Sequence, residues 1–138
     1  MAYWLIKSEP SKGMWDLIQK KGKKGYFWKR VRNFQAMNYM KKMKKGDKCF
    51  FYHSVDERQI IGVVEVTKEH YPDNTDDSGR FFLVNVKTIK KLNRPVQLSE
   101  IKSNSKLSKL ALVRQSRLSV MPVDANSWKI ICSAGGYG

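Results

Sequence analysis

Residues that mark secreted, metal-dependent or membrane proteins are scarce in this 138-residue chain. Its two cysteines and two histidines have neither zinc-ligand spacing nor the pattern of a disulfide-stabilised secreted domain. No apolar run reaches the length of about 18 residues that a membrane helix needs, and the apolar stretch 2–6 is too short for a signal peptide. We therefore expect a cytoplasmic protein in a bacterium or a nuclear one in a eukaryote, with no metal, cofactor or membrane partner.

Acidic residues are also scarce, with 12 Asp and Glu against 27 Lys and Arg and a formal net charge of +15. Residues 1–50 carry 14 basic and 3 acidic side chains, and residues 78–138 carry 11 and 2. The intervening segment 56–77 reverses the balance, with 7 acidic and 2 basic residues. A basic surface concentrates and steers polyanions, so nucleic acid is the first expected partner. On charge alone, a generic basic surface remains the alternative.

The length and the 41% hydrophobic content predict one folded domain over residues 1–138 and a monomer. Residues 135–138 are predicted to form a mobile tail. Apolar patterns predict strands and helices in turn, without the strand–helix rhythm of a doubly wound sheet. The predicted fold class is therefore α+β, with about five strands closed into a small mixed barrel. Predicted strands cover residues 3–7, 48–53, 60–67, 80–89 and 118–123; predicted helices cover 14–20, 34–43 capped by Asn33, 98–102 capped by Ser99, and 125–133 capped by Asp124.

No catalytic motif is visible: the chain has no GxSxG, HExxH, P-loop or GxGxxG pattern. Cys49 lies in an apolar strand, where an inert thiol is expected. We therefore predict that the protein is not an enzyme. Two alternatives stay open: a nucleic-acid-processing enzyme in which His53 works with Glu9 or Asp73, and a protein-interaction domain for acidic partners.

Four clusters combine aromatic, polar and basic residues, at positions 7–10, 27–33, 51–54 and 116–119. A reader of a single base needs a stacking plane, polar groups that match the base edge, and nearby cations. Trp28 is the candidate stacking plane, in an open slot, and Trp28→Ala is then expected to abolish base discrimination without unfolding the protein. The alternative is that Trp28 belongs to the core, and spacing alone does not decide between them.

Several of these clusters resemble the EVE domain family. The resembling blocks keep their family order over nearly the whole chain: residues 3–10, Trp28 with residues 31–33 and 35–36, residues 46–47, 51–54, 61–63, 71–73 and 117–120, and then Pro122 and Trp128. The resemblance implies a PUA-like mixed β-barrel of about five or six strands with short surrounding helices, related to YTH domains. It also implies a module that binds a modified or flipped-out base in DNA or RNA, in an aromatic pocket with a basic rim.

The resemblance assigns site residues position by position. The implied base pocket comprises Lys7, Ser8, Trp28, Val31, Arg32, Asn33, Tyr52, His53, Ser54, Phe81, Arg117 and Ser119, and the implied rim or phosphate contacts are Arg30, Lys41, Lys44, Tyr71 and Asp73. Two positions depart from the family pattern. Arg30 stands where the family usually has glycine, and Phe81 stands where it usually has tryptophan, so the pocket entrance and the base preference are expected to differ.

Overall fold

The computed structural model describes residues 1–28 and 33–137 and shows a mixed six-stranded sheet with helices packed against it. The strands are β1 (Tyr3–Ser8), β2 (Tyr26–Trp28), β3 (Lys48–His53), β4 (Gln59–Pro72), β5 (Phe82–Gln97) and β6 (Val120–Val123). The helices are α1 (Met14–Lys21), α2 (Phe34–Lys42), α3 (Leu98–Ser103), α4 (Ala111–Arg114) and α5 (Ala125–Gly135). The α+β class predicted from the sequence is confirmed, and the six strands fall within the five or six that the family resemblance implies.

The strand order β2-β5-β4-β3-β1-β6 gives a curled half-barrel rather than a fully closed barrel. β1 and β3 are parallel, and the other neighbouring pairs are antiparallel. The long β4–β5 pair has four register shifts. Because bulges bend a strand and increase its twist, these shifts account for the curl of the sheet around its longest strands.

The strand registers assign side chains to two faces of the sheet, because successive residues of a strand point to opposite sides. Ser8 pairs with His53, while the preceding residue Lys7 pairs with Tyr52. We call the side that carries Ser8 and His53 the Trp28 face, and the side that carries Lys7 and Tyr52 the Lys7 face. Following paired residues across the sheet, the Trp28 face contains Ser8, His53, Phe51, Cys49, Val64, Val66, Val86, Val84 and Trp28.

Helices α1 and α2 cover the Trp28 face. Trp15 of α1 meets the ring of Phe51 edge-on, with 5.5 Å between ring centroids. Gly62 makes this approach possible, because a Cβ at this position would lie 2.4 Å from the Trp15 ring. Tyr39 of α2 contacts Trp4 at a centroid distance of 6.2 Å. The aromatic residues therefore fix both helices on this side of the sheet.

Helix α5 covers the Lys7 face through Trp128. The Trp128 ring stacks on Phe50 at 3.9 Å and on Tyr3 at 4.4 Å between centroids. Asp124 caps α5 by accepting a hydrogen bond from the Ser127 amide, and Asn33 caps α2 in the same way from Ala36, both at 3.0 Å. These caps and helix starts match the sequence prediction.

One local prediction was wrong. Helix α3 begins after Gln97 without a side-chain cap, so Ser99 is not its cap. The mobility expected for the tail from residue 135 stays a prediction. Gly135 is the last residue of α5, and the amide of Tyr137 donates to the Cys132 carbonyl at 2.9 Å.

Candidate functional site

Trp28 lies in β2, paired with Val84, and its side chain is 0% exposed. The expected open slot, with an indole facing solvent, is therefore absent from the described structure. The indole Nε1 has no hydrogen-bond partner among the described residues. Trp28 is thus a core residue, which is the alternative that the sequence left open, and it also buries an unused donor.

Ser8, at the end of β1, is the second residue of the Trp28 face with an unused polar atom. It is 4% exposed, and its Oγ has no hydrogen-bond partner among the described residues. Leaving a buried polar group unpaired costs about 1–3 kcal/mol, and such groups are rare in native proteins. In the part of the chain that the structure describes, these two atoms are the buried side-chain N and O atoms without a partner, and sequence reasoning had placed both residues in the pocket.

His53 pairs with a carboxylate other than the ones expected. Its Nδ1 lies 2.9 Å from Oε1 of Glu57, while its ring meets Phe51 edge-on. Asp73, one of the two predicted partners, accepts hydrogen bonds from the amide and hydroxyl of Thr75. The proposed acid–base pair of His53 with Glu9 or Asp73 is therefore replaced by a His53–Glu57 pair in the turn after β3.

Asn33 uses its Oδ1 to cap α2, so its side-chain amide group is the part that can donate to a base. Phe81 lies just before β5, half-buried against the core, and its amide donates to Asp76 Oδ2 at 3.0 Å. Arg30, Val31 and Arg32 fall outside the described residues, and their roles remain predictions.

Lys7, Tyr52 and Ser54 lie on the opposite side of the sheet from Ser8, His53 and Trp28. The sequence grouped all six in one pocket, and this grouping is corrected by the strand pleat. The three residues of the Lys7 face line a separate pocket of about 290 Å³. We call it the Lys7 pocket; its other polar lining residues are Arg58, Lys102 and Ser116.

Lys7 is held at the wall of this pocket. Its Nζ donates to the Ser116 carbonyl at 2.8 Å and lies 5.6 Å from the centroid of the Tyr52 ring. Partial burial lowers the pKa of Lys7 below its ordinary value, because burial disfavours the charged ammonium. Burial likewise raises the pKa of Tyr52, against a smaller opposing effect of Arg58.

Arg117 and Ser119 lie in the segment before β6. Arg117 is exposed, whereas Ser119 is half-buried and its carbonyl accepts the Lys7 amide at 3.0 Å. Both residues are thus close in sequence to Ser116 of the Lys7 pocket. Arg58 and Lys102 were missed by sequence reasoning, because no local motif marks them and only the fold brings them to this pocket.

The predicted rim residues fall into two groups. Lys41 Nζ lies 4.3 Å from the centroid of the Phe82 ring and offers positive charge near the start of β5. Lys44 is exposed and offers positive charge just after α2. Tyr71 donates through its hydroxyl to Asn85 at 2.6 Å. Burial, followed by the charge of Asp73, raises the pKa of the Tyr71 phenol.

Within residues 1–28 and 33–137, no group of three or more His, Cys, Asp or Glu residues could hold a metal ion. No helix in those same ranges has both the length and the apolar character required to cross a membrane. Cys49 is buried, and this burial, with a smaller contribution from Asp47, raises the pKa of its thiol. Cys49 therefore has the properties of the inert thiol that the sequence predicted.

The fold defines a small α+β domain built on a mixed half-barrel sheet. A model of the EVE domain matches residues 2–134, which is nearly the whole chain. The chain belongs to the EVE domain family, as the sequence blocks suggested.

Solved structures share this fold, and named proteins are similar in sequence. A protein from Agrobacterium tumefaciens is 42% identical with a TM-score of 0.92, covering 99% of this chain and 94% of its own. Thymocyte nuclear protein 1 of Gallus gallus is 32% identical, over 95% of this chain and 67% of its own length. The human THYN1 protein, in complex with 5-methylcytosine containing DNA, is 30% identical with a TM-score of 0.86 and 98% of both chains covered.

Proposed function

We propose that this protein is a nucleic-acid-binding module that recognises a modified or flipped-out base in DNA or RNA. One observation carries the proposal: the human relative, similar over nearly the whole of both chains, was solved in complex with 5-methylcytosine containing DNA. The net charge of +15 supports the same class of partner, because basic proteins attract the phosphate backbone. The proposed action is binding without chemical conversion of the base.

The Trp28 face is the proposed base site. Trp28 Nε1, Ser8 Oγ and the amide group of Asn33 offer hydrogen-bonding groups to a base edge, and the first two have no partner among the described residues. The indole supplies a stacking plane, which for bases is worth about 1–3 kcal/mol. Because Trp28 is fully buried, a base reaches it only when covering side chains move aside. Arg30, Arg32 and Arg117 are the proposed guanidinium contacts to phosphate.

A binding panel tests the function itself. Matched duplexes and single strands of DNA and RNA would carry one modified or unmodified base, and affinity would be measured at a fixed salt concentration. We expect tighter binding to at least one modified base and recovery of every oligonucleotide unchanged. Equal affinity for all bases would contradict base recognition, and turnover of the oligonucleotide would favour the enzyme alternative.

Ser8→Ala is expected to weaken binding of the preferred modified base by about 2- to 10-fold, the value of one hydrogen bond. The same change should leave stability unchanged or slightly higher, because the buried hydroxyl has no described partner and contributes nothing to the fold. Affinity measurements and urea denaturation of the same preparation check both halves of this prediction.

Ser133→Ala is the matched control for this variant, since Ser133 is exposed on α5. It removes the same hydroxyl without touching the Trp28 face. If Ser8→Ala binds every oligonucleotide as tightly as the control does, Ser8 does not read the base. If Ser8→Ala is markedly destabilised, its hydroxyl has a structural role instead.

Lys41→Ala is expected to weaken binding to all sequences alike and to reduce the slope of log K against log salt by about 1, as loss of one phosphate contact does. Lys41 lies beside Phe82 on the side of the sheet covered by α2. Lys129→Ala on α5 makes the same charge change on the other side and should have a much smaller effect. Equal changes in slope for both variants would remove Lys41 from the phosphate path.

A further inference from the structure

The Lys7 pocket is a concave site that the proposed base-binding role does not use. It lies on the face opposite Trp28 and Ser8, with a volume of about 290 Å³, close to the lower end of the size range of small-ligand pockets. Its floor is formed by strand residues of β1 and β3, and its sides by α3, α4 and the turn after β3. Its lining combines aliphatic side chains, from α3, α4 and the turn after β3, with polar and basic groups.

The lining of the Lys7 pocket is positively charged. It includes Lys7, Arg58 and Lys102, and no Asp or Glu. None of the ion pairs among the described residues involves these three cations. Glu57, in the same turn as Arg58, is engaged by His53 instead. Three cations in a lining without a carboxylate create a local positive potential that favours an anion.

The turn that positions Arg58 is held in an unfavourable backbone conformation. Val55 and Arg58 both line the pocket, and both have positive φ values, of 68° and 48°. A β-branched residue such as valine rarely adopts this region, and such strain persists where the surrounding structure enforces it, often at ligand sites. The Arg58 Nε donates to the Val55 carbonyl at 3.0 Å, which leaves the two terminal groups of the guanidinium to bind a ligand.

We propose that the Lys7 pocket binds a phosphate group, as a second site distinct from the base site. The two terminal groups of Arg58 match two phosphate oxygens, and the ammonium groups of Lys7 and Lys102 add charge. The half-buried Lys7 ammonium is already held by its hydrogen bond to the Ser116 carbonyl, so it needs little conformational change to bind an anion. The phosphate comes either from a free phosphorylated small molecule or from the backbone of a bound nucleic acid.

A backbone phosphate has a direct route to this pocket. Lys7 and Ser8 are consecutive residues at the end of β1, so the two sites lie on opposite faces of the sheet at the same end of this strand. A nucleic-acid strand that places a base on the Trp28 face can pass over this end of β1 and bring a neighbouring phosphate toward Lys7. Only this version of the proposal rests on the proposed function; binding of a free phosphate compound does not.

The test compares Lys102→Met and Lys7→Met with Lys129→Met, an exposed lysine on α5 outside the pocket. Inorganic phosphate, a nucleoside 5′-monophosphate and the corresponding nucleoside are titrated into each protein, with NMR shifts of the pocket amides as the readout. Oligonucleotide affinity is measured in parallel. Lys102 is exposed, so its variant is expected to fold even if Lys7→Met does not.

We expect at least 10-fold weaker binding of phosphate-containing probes in Lys102→Met, no change in Lys129→Met, and no saturable binding of the nucleoside to this pocket. If the monophosphate binds and oligonucleotide affinity is unaffected by Lys102→Met, the source is a free compound. If only oligonucleotide affinity falls, by at least 5-fold beyond the control, the source is the backbone.

The proposal is overturned if no phosphate probe shifts the pocket amides and Lys102→Met binds oligonucleotides like Lys129→Met. Failure of the base-reading function gives a different result. In that case the wild-type protein shows no preference among modified bases, while phosphate binding to the pocket is still measured directly with inorganic phosphate.

Discussion

Trp28→Ala is expected to destabilise the protein by about 3–5 kcal/mol, the usual cost of truncating a large buried aromatic residue. The indole is 0% exposed, and β2 has three residues that reach the sheet through β5. Natural domains have unfolding free energies of about 5–15 kcal/mol, so this loss would remove a large share of the free energy of unfolding. Urea denaturation measures it. This expectation replaces the sequence-based one, in which Trp28→Ala left the fold intact.

Trp28→Phe is the informative companion variant. It keeps an aromatic ring in the core and removes the Nε1 donor, which has no partner among the described residues, so its cost should be much smaller. A folded Trp28→Phe protein with weakened preference for a modified base would indicate that the indole reads the base. Trp28→Ala with nearly wild-type stability would instead show that the buried position contributes little to the core.

Elements set by local signals were predictable from the sequence. Strand β3 occupies the predicted residues, and α2 and α5 begin at the predicted caps, Asn33 and Asp124. A cap depends on a side chain that bonds an amide three residues away, so the neighbouring sequence carries the signal. Alternating and apolar runs likewise mark strands whose burial pattern is regular.

Elements that depend on distant partners were missed or shortened. Strand β2 is three residues long and exists through its pairing with β5, so its sequence was interpreted only as part of an aromatic cluster. Strands β4 and β5 run well beyond the predicted ranges, to Pro72 and Gln97. Their extensions are rich in exposed polar residues, and backbone pairing rather than side-chain burial keeps them extended.

The candidate site was predictable as a set of residues but not as an arrangement. Lys7 and Ser8 were assigned together, as were Tyr52 and His53, yet neighbours in a strand point to opposite faces. The signal that separates them was already present in the predicted strands. Arg58 and Lys102 carried no such signal, because their pocket forms only when α3 packs beside the turn after β3.

Asp47→Ala is expected to destabilise the protein by about 3 kcal/mol, because one buried carboxylate accepts several hydrogen bonds. Asp47 is 4% exposed; its Oδ2 accepts from Trp4 Nε1 at 3.0 Å and from the Lys44 amide at 2.9 Å, and its Oδ1 accepts from the Ala2 amide at 3.1 Å. In the variant, the Lys44 and Ala2 amides can form hydrogen bonds with water instead. The Trp4 indole cannot, since Trp4 is 5% exposed, so most of the lost stability should come from its unpaired Nε1.

A double-mutant cycle with Trp4→Phe isolates this contribution, measured by urea denaturation of the four proteins. Trp4→Phe removes the donor, so in the Asp47→Ala background it should cost about 1–2 kcal/mol less than in the wild type, where it also breaks the Trp4–Asp47 hydrogen bond. Additive effects would mean that the two side chains stabilise the protein independently. The link between the start of β1 and the turn before β3 would then rest on packing.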